Sequence, residues 1–280
     1  MDNLILTLLQ SNIAWKQVEA NLLHYQAMIL HAIHTAPKES IKSSPHIFLL
    51  PEMFATGFCT DTPCAEVYQG PVFQWMQNLA IKNHISIAGS VATFNENKQM
   101  VNRFLWFRSD GSPVFYDKRH LFCMGGEDHF FSKGEDCINV EEYGWKFRLN
   151  ICYDLRFPLW SRNFYNEKED TYDYDALVYA ASWPNSRIHI WNTLLAARAI
   201  ENMAYCIGVN RVGKDPQETL HGGSSQIINA KGEIIAKASS QNEEILTTYL
   251  SKSELKQFRQ KFPVANHWDV PLNQNFTNHI

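Results

Sequence analysis

Asn150-Ile151-Cys152-Tyr153-Asp154-Leu155-Arg156-Phe157-Pro158 places one cysteine where two sequence periodicities meet. Before it, Trp145-Lys146-Phe147-Arg148-Leu149 alternates apolar and polar residues and turns apolar at Ile151, the pattern of a strand. After it, Asp154 is placed to cap a helix, and Arg156 to Tyr165 reads as an amphipathic helical segment. Cys152 is therefore expected where a strand hands over to a helix. At such a junction the next backbone N–H groups lack intrahelical partners and point toward the thiol or what it attacks. They lower a thiol pKa and can hold an oxyanion. An unperturbed thiol, with pKa ~8.5, is mostly protonated at neutral pH, so a catalytic cysteine also needs a base or a cation nearby.

The flanking chain alternates strands and helices. Leu4 to Leu9 reads as a strand, Trp15 to Thr35 as a helix and Pro37 to Ser44 as a loop. His46-Ile47-Phe48-Leu49-Leu50 is fully apolar, as a strand buried on both faces must be, and Pro51-Glu52 closes it. Pro71 opens a helix to Asn83. Strands follow over Ile85 to Phe94, Val101 to Phe107 and Val114 to Tyr116, then a long polar loop from Asp117 to Gly134. Beyond Cys152, Glu167 to Asp175 is a charged insertion expected as a solvated loop, and Leu177 to Ala181 is a buried strand ended by Ser182-Trp183-Pro184. Asn185 or Ser186 should cap a helix to Met203 with Ile188, Trp191, Leu195, Ala199 and Met203 as its core stripe. A strand over Tyr205 to Val212, a hairpin over Ser224 to Ala238, a strand over Ile245 to Leu250 and a helix over Ser251 to Lys261 complete the pattern. This is one α/β domain over residues 1–262, with an irregular tail over 263–280 that packs on the domain or on a partner copy.

Composition excludes several functions. The 280 residues are 45% hydrophobic with a formal net charge of -4, enough for a large core. The acidic balance and the lack of a Lys/Arg block argue against a nucleic-acid partner. Met1 to Gln10 has no basic stretch or cleavage site and reads as a strand, and no apolar run approaches the ~20 residues of a membrane span. The six cysteines are dispersed with no export signal, so reduced thiols in a cytoplasmic protein are expected, and Cys59 and Cys64 pair only in an exported one.

Glu52, Lys118 and Cys152 fall at strand ends or in the long loop, and together they form a chemically complete set. A carboxylate can take the thiol proton and return it to a leaving amine, while an ammonium stabilises a tetrahedral oxyanion. Two other clusters are weaker. His120, Cys123, Glu127, Asp128 and His129 are all metal-ligand types, but no established ligand spacing is present. Gly222-Gly223-Ser224-Ser225 lacks the lysine of a phosphate-binding loop and reads as a turn.

The trio also carries a resemblance. Leu49-Leu50-Pro51-Glu52-Met53-Phe54, Tyr116-Asp117-Lys118-Arg119-His120-Leu121-Phe122 and the Cys152 segment resemble, in order and interval, the signature blocks of the carbon–nitrogen hydrolase (nitrilase) superfamily. The resemblance implies a four-layer α-β-β-α sandwich, usually dimerised through its helices, a Glu52–Lys118–Cys152 triad and no cofactor. It also implies a second glutamate after the lysine block, matched by Glu127, with Asp128 the alternative if the loop register shifts by one. Cys152 and its neighbours, Ala181-Ser182-Trp183-Pro184 and Ala196-Ala197-Arg198-Ala199-Ile200-Glu201-Asn202 most resemble the ω-amidase group, which hydrolyses the side amide of 2-oxoglutaramate. The implied partner is a small-molecule amide, in a homodimer or higher homo-oligomer. The oxyanion would lie between Lys118 and the Tyr153 N–H. Arg187 is the candidate for the substrate carboxylate, Trp183 either walls the pocket or is core, and Arg156 packs behind the cysteine turn. A nitrilase, a carbamoylase or another amidase would use the same triad.

Overall fold

Alternate residues of the central strands enter different cores, and this sorting builds the architecture. The computed structural model describes residues 2–35, 45–60 and 64–269. The strands are β1 (Asn3–Gln10), β2 (His46–Leu49), β3 (Ser86–Phe94), β4 (Met100–Phe107), β5 (Pro113–Asp117), β6 (Asn139–Glu142), β7 (Trp145–Ile151), β8 (Tyr165–Asn166), β9 (Thr171–Tyr172), β10 (Ala176–Ala181), β11 (Tyr205–Asn210), β12 (Val212–Lys214), β13 (Leu220–Gly222), β14 (Gln226–Ile228), β15 (Ile234–Lys237) and β16 (Glu244–Ser251). One six-stranded sheet has the order β16-β1-β2-β3-β4-β5 and a second β15-β14-β11-β10-β7-β6.

Leu4, Leu6 and Leu8 of β1, Ile47 and Leu49 of β2, and Phe104 and Trp106 of β4 meet Phe147, Leu149 and Ile151 of β7 and Val178 of β10 between the sheets. The intervening Leu9, Phe48 and Ile87 face Tyr25, Ile29, Val72 and Met76 of the helices Val18–Thr35 and Pro71–Asn83. On the far side, Leu177, Tyr179 and Cys206 pack under Trp191, Leu195 and Ala199 of the helix Ile188–Asn202. Each such side chain contributes about 1.5–3 kcal/mol over exposure, so both faces of both sheets must be covered. The result is the expected four-layer α-β-β-α sandwich.

Strand polarity positions the site. β1, β2 and β3 run parallel, as do β7, β10 and β11. The ends of β2 and β10 touch across the sandwich, where the Glu52 N–H donates to the Ala181 carbonyl at 3.4 Å. Local chemistry sets the helix bounds. Pro71 occupies the first turn of its helix, and the Glu66 carboxylate accepts from the N–H groups of Val72 (2.7 Å) and Phe73 (3.1 Å). Ser251 caps the helix Lys252–Lys261 by accepting from the Glu254 N–H.

Several sequence expectations give way. No helix covers Arg156 to Tyr165. Cys152–Arg156 is a 3-10 turn followed by further turns, and Asp154 is its third residue rather than a helix N-cap. The first helix starts at Val18 rather than Trp15. Neither Asn185 nor Ser186 caps the helix to Asn202, because Asn185–Arg187 forms its own 3-10 turn. The charged insertion makes the β8–β9 hairpin, and its end is not solvated: Asp175 is buried, paired with Arg259 at 3.1 Å and Lys252 at 3.0 Å. Cys59 and Cys64 form a disulfide rather than two thiols. In the C-terminal segment, Trp268 packs edge-on against Tyr172 and under the Arg162 guanidinium. The loop expected over Pro37 to Ser44 and the tail from residue 270 lie outside the described residues. No helix among the described residues is long and apolar enough to cross a membrane.

Candidate active site

Separate strand ends deliver the trio. Glu52 follows β2, Lys118 follows β5 and Cys152 follows β7. Lys118 is held by its backbone, its N–H donating to the Asn102 carbonyl of β4 and its carbonyl accepting from Gly134, both at 2.9 Å. Any side chain at Gly134 would collide with the Asp117 carbonyl, so the loop closes only on glycine there. Cys152 has φ +41°, the left-handed region that costs a non-glycine residue of the order of 1–3 kcal/mol and is found where surroundings enforce it.

Asp154 does the enforcing. Its Oδ2 accepts from the Ile151 N–H (2.9 Å) and the Tyr116 hydroxyl (2.7 Å), and its Oδ1 from the His120 N–H (3.0 Å). The His120 ring Nδ1 also lies 2.8 Å from Oδ1, and that ring stacks on Phe157 at 3.7 Å. Tyr116 and His120 bracket Lys118, so one buried carboxylate ties the cysteine turn to the lysine segment.

The Lys118 ammonium is fully buried. It donates to Glu52 Oε1 at 2.8 Å and to Glu127 Oε2 and Oε1 at 2.8 and 3.1 Å. Glu127 itself is buried, in a 3-10 turn over Glu127–His129, and also accepts from the Phe122 N–H at 2.7 Å. Glu52 Oε2 accepts from the Ser182 N–H at 2.9 Å. Asn102, absent from the sequence reading, donates from Nδ2 to both Glu52 Oε1 and Glu127 Oε1 at 2.9 Å. Its signal was available: it continues the i, i+2 stripe of Phe104 and Trp106, where a polar side chain needs partners.

Electrostatics follow from this packing. Burial disfavours the ammonium, but the charges of Glu127 and Glu52 outweigh it and hold Lys118 above its usual pKa. Burial raises Glu127 despite the opposing Lys118 charge. The Cys152 thiol is raised well above its usual value, first by burial and then by the Glu52 charge, against the pull of Lys118. This reverses the sequence expectation of a lowered thiol. A five-residue 3-10 turn has too little dipole to offset burial beside a carboxylate, so Cys152 rests as a thiol.

Above this cluster opens a cavity of about 520 Å³. Glu52, Lys118 and Cys152 line it together with Tyr153, Trp183 and Phe122. Trp183 thus serves both readings: it is buried, bonded through Nε1 to the Arg187 carbonyl at 2.9 Å, and walls the cavity. Arg187 lines the cavity with its guanidinium 5.8 Å from the Phe122 ring. Arg156 does not pack behind the turn. It too lines the cavity, 5.2 Å over the Trp183 ring. Neither guanidinium has an ion-pair partner among the described residues. Cys59 of the disulfide forms part of the wall. The ligand-type cluster around Glu127 disperses, with His120 turned to Asp154 and Asp128 and His129 exposed.

A family model described as carbon-nitrogen hydrolase matches residues 5–260. The chain belongs to that family. This carbon–nitrogen hydrolase is 40% identical over 269 residues to the omega-amidase YafV of Yersinia enterocolitica, covering 96% of this chain and 98% of that one. It is 31% identical over 229 residues to a 2-oxoglutaramate amidase of Bacillus subtilis (strain 168), covering 80% and 85%. A carbon–nitrogen hydrolase superfamily protein of Xanthomonas campestris, solved with an arsenic adduct in its active site, superposes with a TM-score of 0.88 at 33% identity, covering 98% of this chain and all of the other.

Proposed function

We propose that this carbon–nitrogen hydrolase is a thiol ω-amidase, cleaving the side amide of a small dicarboxylate monoamide such as 2-oxoglutaramate through a Cys152 thioester. One observation carries the reading: Cys152, Glu52 and Lys118 share a cavity with two guanidiniums, Arg156 and Arg187, that have no ion-pair partner among the described residues. The first three supply amide hydrolysis, and the arginines supply recognition of a carboxylate at the other end of the substrate. The relatives described as omega-amidase and 2-oxoglutaramate amidase support the same substrate class.

In the proposed mechanism Glu52 takes the thiol proton as Cys152 attacks the amide carbon. Two of the three ammonium donors of Lys118 are held by Glu52 and Glu127, and the third, with the Tyr153 N–H, stabilises the oxyanion. Glu127 orients Lys118. Collapse returns the proton from Glu52 to the leaving nitrogen, releasing ammonia and leaving a thioester. Glu52 next takes a proton from water, whose oxygen attacks the thioester. The thiolate leaves with the acid, and Glu52 reprotonates it.

Ammonia release from 2-oxoglutaramate, succinamate, glutamine, a carbamoyl amino acid and a simple nitrile tests this, with wild type beside Cys152→Ala. Preference for 2-oxoglutaramate, lost in the variant, is the expected result. Turnover retained in Cys152→Ala would overturn the mechanism, and cysteine-dependent preference for another compound would overturn the substrate.

A further inference from the structure

Asn102 lies on β4, two residues before Phe104 and four before Trp106, on the strand face directed at the second sheet. It is fully buried, and a primary amide there is costly unless it is bonded. Its Nδ2 hydrogens go one each to Glu52 Oε1 and Glu127 Oε1, both at 2.9 Å, and its carbonyl accepts the Lys118 N–H. Its side-chain Oδ1 has no hydrogen-bond partner among the described residues. Turning the amide over would aim that oxygen at two carboxylates, so the orientation is fixed by charge.

Two carboxylates share one ammonium in this cluster, which leaves one negative charge uncompensated. Like charges so close force a proton onto one of them unless hydrogen bonds stabilise the ionised forms. Ser182 donates only to Glu52 and Phe122 only to Glu127. Lys118 and Asn102 each donate to both. We propose that Asn102 is a positioning residue for the hydrolysis, holding Glu52 and Glu127 side by side as carboxylates so that Glu52 is free to act as the base. This rests on the assignment of Glu52 above. The other titratable groups facing the pair are Lys118 from the end of β5, Cys152 from the turn after β7 and His221 of β13 across the cavity. The Asn102 hydrogen bond opposes the burial that raises Glu127.

The test is the pH profile of kcat/KM for ammonia release by the full chain. Asn102→Leu keeps the size and removes both donors, and its acid limb should move up by about one pH unit. Asn102→Ala also removes both donors without adding bulk and should move the limb in the same direction, so a poorly folding leucine variant does not leave the question open. Activity of both variants should recover toward its own plateau on the alkaline side. A uniform loss at every pH with the limb unmoved, or no effect at all, would overturn the role of Asn102. Cys152→Ala, run in parallel, separates the two layers. Its retained turnover would remove the Glu52 assignment, whereas cysteine-dependent turnover with an unmoved limb removes only Asn102.

Discussion

Replacing Lys118 by methionine removes the cation from between two buried carboxylates and leaves their positions nearly filled. At 2.8 Å and an effective dielectric of ~20, each contact carries about 6 kcal/mol of gross attraction, much of it cancelled by desolvation of the ammonium. The net loss on deleting one partner of such a buried set is about 3–5 kcal/mol. The sign with pH follows. With the cation gone, one carboxyl of the pair takes up a proton in the folded state, so its folded pKa lies above the unfolded value. The stability it contributes is therefore present at low pH and lost as pH rises. The deficit against wild type should be full near pH 8 and shrink toward pH 5. Adding Glu127→Gln removes the like charge and should restore roughly 2 kcal/mol while activity stays down by about 10²–10³-fold. Urea unfolding of both variants at the two pH values, with ammonia release, reads all of this. A Lys118→Met protein as stable as wild type at pH 8, or a deficit indifferent to pH and to Glu127→Gln, would refute the reasoning.

Two further outcomes follow from other parts of the structure. Arg156→Gln should lower kcat/KM for 2-oxoglutaramate by about 10- to 100-fold while changing a neutral diamide by less than about threefold; equal losses on both would take Arg156 out of carboxylate recognition. His46, at the start of β2, is buried with Nε2 2.7 Å from the Thr7 hydroxyl, and burial lowers its pKa from 6.5 to about 4. The unfolded chain takes up the proton first, so this stabilisation is full above pH 6.5 and is lost as pH falls through 4. The wild-type unfolding free energy should drop by about 2–3 kcal/mol more than that of His46→Gln between pH 7.5 and 4.5. Parallel slopes in the two proteins would remove His46 from the acid sensitivity.

Strands buried on both faces were legible because their chemistry is local. His46-Ile47-Phe48-Leu49 needs no knowledge of its neighbours to read as a central strand. The helix Pro71–Asn83 was legible at both ends for the same reason. Its N-terminal acceptor, Glu66, was not, because that carboxylate reaches the first turn from outside the helix. Asp154 misled in a similar way. As an isolated residue it suits an N-cap, but Tyr116 lies 38 residues away in sequence and competes for the same carboxylate. Glu52, Lys118 and Cys152 stood out by residue type and position, and the structure brings the three to one cavity. Glu127 came from resemblance alone, because nothing in Met124-Gly125-Gly126-Glu127 says that the loop folds back onto Lys118. Arg156 was misplaced because a cavity is a property of the whole sandwich. The thiol pKa was misjudged because local peptide dipoles are visible in sequence and burial is not. The Cys59–Cys64 disulfide was set aside on an argument about cell compartment, and their proximity in space decides the pairing instead.

The pairing of β1 with β16 has a consequence for synthesis. Thr7 and Thr247 hydroxyls meet at 2.8 Å although 240 residues separate them. At ~5–20 residues per second, roughly 10–50 s pass on the ribosome between the emergence of the first strand and of its antiparallel neighbour. Throughout that interval β1 presents the unpaired hydrogen-bonding edge of an apolar strand, a template for another nascent chain. The amino-terminal sheet can therefore gather its parallel core early, but its outer border stays open to mispairing until nearly the whole sandwich has left the ribosome.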